Sequence, residues 1–118
     1  MRSSDSVKII SLDRTRLLAE LRQIAERISA DHPEVAEVRL FGSLARGDYT
    51  GTSDVDVLIL LQQTNETDPL RRILRFLPYF DLRRGTDLLV YTLAELEGRL
   101  AAGDRFIQRI WSESIPID

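Results

Sequence analysis

The chain has 118 residues, a formal net charge of −3, no cysteine, and 43% apolar against 30% charged residues. This balance reads as one soluble globular domain over 1–118 with its core between about 13 and 111. It excludes a disulfide framework, a thiolate zinc site and a cysteine nucleophile, and the acidic balance argues against direct nucleic-acid binding.

The longest apolar run, Val57 to Leu61, is too short to cross a membrane. Met1-Arg2-Ser3-Ser4-Asp5 opens no long apolar stretch, so no secretory signal is expected and a cytoplasmic location is the default.

From Asp13 to Ala30, Leu17, Leu18, Leu21, Ile24, Ala25 and Ile28 recur at helical spacing. That predicts an amphipathic helix capped by Asp13 and stopped at His32-Pro33. Val35 to Phe41 reads as a strand with Val38 and Leu40 on one face. Gly42-Ser43 breaks it, Leu44 to Asp48 is at most a short helix, and Tyr49 to Ser53 is a loop. Asp54 to Leu61 reads as a second strand whose apolar run predicts burial on both faces.

Pro69 to Phe80 reads as a helix with Asp68 as cap and Pro at its first turn. Its apolar members are Leu70, Ile73, Leu74 and Leu77, and Pro78 is expected to end it. Asp87 to Tyr91 is a third strand. Thr92 and Glu95 form a capping box for a helix that closes at Gly103. Arg105 to Trp111 reads as another short helix, and Ser112 to Asp118 shows no pattern. The order predicts an α/β (α+β) fold, a small mixed sheet flanked by helices.

Charge is uneven along the chain. Arg71, Arg72, Arg75, Arg83 and Arg84 stand against Asp81 between residues 69 and 84, and acidic stretches lie on either side. The Arg71/Arg72/Arg75 set reads as a solvated or partner-facing helix face. His32, beside Pro33, reads as structural, and Trp111 and Phe106 as core or interface residues. Arg46 reads either as a phosphate contact or as a brace to Asp48.

Asp54 and Asp56 stand two apart at the head of a strand that then becomes wholly apolar. Period two puts both on one face. Two adjacent carboxylates repel, and a divalent cation would relieve them. Magnesium takes one or two carboxylates together with substrate phosphates, and a metal pair suits in-line nucleotidyl transfer. Read alone, the same pair is also what a solvated strand entry would show. Gly42-Ser43 combines a backbone that tolerates close approach, a hydroxyl and a helix start, which suits a phosphate. If the first two strands are antiparallel neighbours, this turn meets the two aspartates. If the third strand is parallel to the second, with 69–80 as crossover, Asp87 joins them.

Phe41-Gly42-Ser43-Leu44-Ala45-Arg46-Gly47, ten residues from Leu44 to Ser53, and then Asp54-Val55-Asp56 resemble the minimal nucleotidyltransferases of the DNA polymerase beta superfamily. The resemblance runs from about Leu17 to Ile110. It implies a polymerase-beta-like nucleotidyltransferase fold. It also implies nucleotide binding through Gly42 and Ser43, with Arg46 and Ser53 beside them. Two Mg2+ ions would sit on Asp54 and Asp56, with Asp87 as third carboxylate, metal ligand and activator of the acceptor hydroxyl.

The chain is also similar in extent to the antitoxin half of toxin–antitoxin pairs. There, a nucleotidyltransferase moves AMP from ATP onto a tyrosine of a HEPN-domain ribonuclease toxin. That similarity implies AMPylation of such a partner within a hetero-oligomer. Two other readings stay open: a non-catalytic subunit that neutralises its partner by covering it, and an aminoglycoside nucleotidyltransferase.

Overall fold

The computed structural model describes residues 13–117; the expectation about the N-terminal residues lies outside them. Helix α1 (Arg14–Asp31) begins where the Asp13 carboxylate accepts from the Arg16 N–H, and it ends with the His32 N–H donating to the Ile28 carbonyl. Strand β1 (Val35–Phe41) leads through Gly42 into the single-turn helix α2 (Ser43–Arg46). Strand β2 (Val55–Leu61) follows. Helix α3 (Pro69–Phe76) then runs into a 3-10 turn at Leu77–Tyr79. Strand β3 (Thr86–Thr92), helix α4 (Leu93–Ala101), helix α5 (Arg105–Glu113) and the two-residue strand β4 (Ile115–Pro116) complete the order.

The sheet order is β3-β2-β1-β4. Strand β2 is antiparallel to β1 and parallel to β3, with α3 in the crossover, so both conditions for gathering Gly42, Asp56 and Asp87 are met. Strand β4 lies antiparallel on β1. Being interior, β2 is buried on both sides from Val57 to Leu61. Its odd positions join Val38, Leu40 and the apolar stripe of α1 in one core. Leu58 and Leu60 join Phe41, Leu96, Ile107 and Ile110 in a second core on the opposite face. Two apolar layers therefore sandwich the sheet, and the face that carries Leu58 and Leu60 also carries Asp56.

Three expectations need correction. Helix α3 stops at Phe76, two residues before Pro78, because the turn tightens ahead of the proline. Its buried residues are Phe76 and Arg72, whereas Leu70 and Leu74 are 60% and 55% exposed. Arg72 is only 7% exposed, so Arg71, Arg72 and Arg75 are not one solvated face. The Arg72 guanidinium donates to the Glu66 carbonyl at 2.7 Å and to both Glu95 carboxylate oxygens at 2.7 and 3.2 Å. Arg71 faces Asp68 and Arg75 faces Glu34. These contacts sit where β2 and β3 end, about 16 Å along the strands from Asp56 and Asp87, so they point away from the carboxylates.

The 112–118 stretch, patternless in sequence, contains β4 and the buried Ile117. Among the described residues no helix is long and apolar enough to cross a membrane.

Candidate active site

Register brings the acidic residues together. Asp56 pairs with Phe41 on one side and with Asp87 on the other. The C-terminal end of β1 therefore lies beside the N-terminal ends of β2 and β3. Gly42 turns the chain there with φ +75°, a left-handed value at which glycine has no steric cost. A Cβ built on Gly42 would overlap the Asp56 carboxylate, so only glycine lets backbone and carboxylate sit this close. Gly85 does the same for Asp54: a Cβ there would stand 2.6 Å from Asp54 Oδ1. Both aspartates thus lie against backbone stripped of side chain.

Electrostatics marks Asp56. Burial first, then the charge and close approach of Asp87, then the charge of Asp54 push its carboxyl from 3.8 up to about 6, and Arg46 partly opposes them. Arg46 makes the brace that the sequence offered as one of its two readings. Its Nε donates to Asp48 at 3.2 Å, bracing α2, and its guanidinium also lines the cleft beside Gly42, Ser43 and Asp56. That cleft encloses about 290 Å³.

Ser53 stands differently. Its hydroxyl accepts from the Thr50 N–H at 2.8 Å, closing the loop before Asp54, and it does not line the cleft. Arg84 clamps that loop by donating to the Ser53 carbonyl at 2.6 Å and the Gly51 carbonyl at 3.2 Å. One arginine of the basic segment therefore shapes the site from behind.

The opposite wall is α5, which sequence reasoning did not connect with the site. Phe106, Arg109 and Glu113 line the cleft. Phe106 is 51% exposed and so is not a core residue, whereas Trp111 packs with the second core and carries Arg39 over its ring at 4.5 Å. The Glu113 carboxylate accepts from the Gly42 N–H at 2.8 Å and from Arg46 Nη1 at 3.1 Å. The only sequence trace of this wall was the i, i+3, i+7 spacing of three chemically unlike residues. His32 packs edge-on against Phe76 and Tyr79, in keeping with a structural role.

Among the described residues no three acidic or imidazole side chains form a ready-made metal cage. The donor set nevertheless suits a hard divalent cation. It consists of carboxylate oxygens that repel one another, and magnesium takes one or two carboxylates and completes its shell with phosphates and water.

A small mixed sheet brings the entries of β2 and β3, with Asp56 paired to Asp87, beside the Gly-Ser turn that ends β1, and this arrangement of fold and turn defines the class. The comparisons agree. Residues 21–117 match the nucleotidyltransferase domain model, and the chain belongs to that family. It is 44% identical over 46 residues to a provisionally named protein adenylyltransferase of Methanocaldococcus jannaschii, a match covering 39% of this chain and 46% of that relative. The matched stretch thus spans less than half of the curated relative. The fold is similar to the crystal structure of a provisionally named nucleotidyltransferase from Sulfolobus solfataricus. There the TM-score is 0.61 at 30% identity, covering 72% of this chain and 75% of that one.

Proposed function

We propose that the chain is a magnesium-dependent protein adenylyltransferase that transfers AMP from ATP to a tyrosine hydroxyl of a HEPN-domain ribonuclease toxin, acting as its antitoxin in the cytoplasm. The observation that carries the transferase reading is the register Phe41–Asp56–Asp87, with Gly42 closed onto the Asp56 carboxylate. The protein acceptor is favoured by the printed description of the Methanocaldococcus relative. The toxin partner is carried only by the chain's resemblance to the antitoxin half of toxin–antitoxin pairs.

In this reading Asp54 and Asp56, with Asp87 beside them, would hold two magnesium ions. The ions would neutralise the triphosphate and polarise the α-phosphate. Gly42, Ser43 and Arg46 bind and orient the phosphates. Asp87 lies on the edge strand β3, open to an incoming protein, and accepts the tyrosine proton. The tyrosine oxygen forms a bond to the α-phosphorus as the α–β bridging bond breaks, and pyrophosphate leaves with that electron pair. Positioning and charge neutralisation supply the rate, since no covalent intermediate on the protein is needed.

The test is intact-mass spectrometry of the protein encoded beside this gene, after incubation with this chain, ATP and magnesium. Added AMP groups are expected, and an Asp54→Asn/Asp56→Asn double mutant should lose about 10³-fold or more of the rate. A stable complex with no mass gain would replace the enzymatic reading with a neutralising binding subunit. Transfer to an aminoglycoside without a protein partner would replace the proposed acceptor.

A further inference from the structure

The wall that α5 contributes to the cleft has no assigned work. Phe106, Arg109 and Glu113 follow one another at helical spacing and all three line the same cavity as Gly42, Ser43 and Asp56. They differ in how much of their chemistry is already used. Glu113 is bound to the Gly42 N–H and to Arg46, so it ties α5 to the Gly-Ser turn. Arg109 makes no ion pair among the described residues. Phe106 leaves half its surface uncovered, although Ile107 and Ile110 of the same helix are fully packed.

An aromatic ring held half-open at the rim of a polar cleft is a stacking platform. From Phe106 to Glu113 is seven residues, about 10 Å along the helix axis. That is the scale separating a nucleobase from its outer phosphates.

We propose that Phe106 stacks the nucleobase of the nucleoside triphosphate, so that the exposed face of α5 is the base-binding wall and purines are held more tightly than pyrimidines. This rests on the nucleotide reading above. The phosphates meet Gly42, Ser43 and Arg46 at the Glu113 end, and Arg109 faces the sugar–phosphate span between. Stacking on an aromatic face works for every base and strengthens with the area of the base, hence the purine preference.

Direct binding by calorimetry on the full chain with magnesium tests this without depending on turnover. The ligands are ATP, GTP, CTP, UTP and inorganic tripolyphosphate, which carries the charge without a base. Phe106→Ala should weaken ATP and GTP by roughly tenfold or more and CTP and UTP by less, and should leave tripolyphosphate unchanged. Phe106→Trp should keep purine binding at or above that of the parent chain. The ring is a surface group, so the urea midpoint of Phe106→Ala should match the parent chain.

Unchanged ATP affinity in Phe106→Ala would overturn the base-wall assignment and leave the transferase reading standing. So would an equal loss of tripolyphosphate. A parent chain that binds neither ATP nor tripolyphosphate would overturn both.

Discussion

The charges of Asp87 and Asp54 outweigh that of Arg46 at Asp56, and that imbalance has a measurable sign. Burial, Asp87 and Asp54 hold its carboxyl up at about 6 against 3.8, and Arg46 draws it down. A carboxyl that binds its proton more tightly when folded stabilises the fold fully below its unfolded value. That contribution is lost as pH rises through the folded value. In the metal-free protein, the share of stability from Asp56 therefore declines between about pH 4 and about pH 6. Asp87→Asn removes the largest charge acting on Asp56. A carbon-detected NMR titration should show the Asp56 midpoint fall and the window narrow toward acid; an unmoved midpoint would show that Asp87 contributes nothing and leave burial and Asp54 as the cause. The motif made Asp54, Asp56, Gly42 and Ser43 legible as residues, because their spacing is local. Their closeness was legible only on the condition that β1 and β2 pair antiparallel.

At the scale of elements, α3 shows how a helix can be found and its face misjudged. Asp68, Pro69 and the i, i+3, i+4 apolar residues announce the helix correctly. Which side is buried depends on what it docks against. Here α4 offers a carboxylate and β3 a backbone carbonyl, so Arg72 goes in and Leu74 stays out. Glu95 does two tasks: it closes the capping box at Thr92 and receives Arg72. The Arg72 contact, ahead of the Thr92 backbone, holds its carboxyl below the ordinary 4.5. A depressed carboxyl stabilises above its unfolded value, and this is lost as pH falls through the lowered folded value. Glu95→Gln keeps a capping acceptor but leaves the Arg72 charge without its counter-ion. It should cost about 2 kcal/mol in urea unfolding near neutral pH, less than a fully buried pair because Glu95 is partly exposed. The deficit should shrink in acid; an equal deficit at both pH values would assign the loss to packing.

At the scale of the molecule, the site is assembled from three strand ends and a helix that follows them all in sequence. Strand β4 secures that last helix to the sheet. The Ile117 N–H donates to the Val38 carbonyl at 3.0 Å and its side chain is buried in the first core. Arg39 reaches from β1 to the Ser114 hydroxyl and carbonyl at the end of α5, next to Glu113. Ile117→Ala should therefore destabilise the chain by about 2–4 kcal/mol and, by loosening α5, weaken nucleotide binding beyond the stability loss. Denaturant titration and calorimetry on one preparation separate the two; a stability loss with unchanged affinity would disconnect β4 from the site.

What the sequence by itself determined is whatever short-range pattern encodes. Helical and strand periodicity placed α1, β1, β2 and β3. The Gly-Ser turn and paired aspartates carried the family resemblance, and a crossover long enough for a helix allowed the parallel β2–β3 pair. Tertiary structure alone decided which face of α3 is buried, that Arg84 clamps the Ser53 loop, that a two-residue strand closes the sheet edge, and that Phe106 and Glu113 line the cleft with Asp56. These depend on surfaces contributed by elements 20 to 70 residues away. A helix carries its own period in its sequence, but the neighbour that selects its buried side is supplied by the rest of the fold.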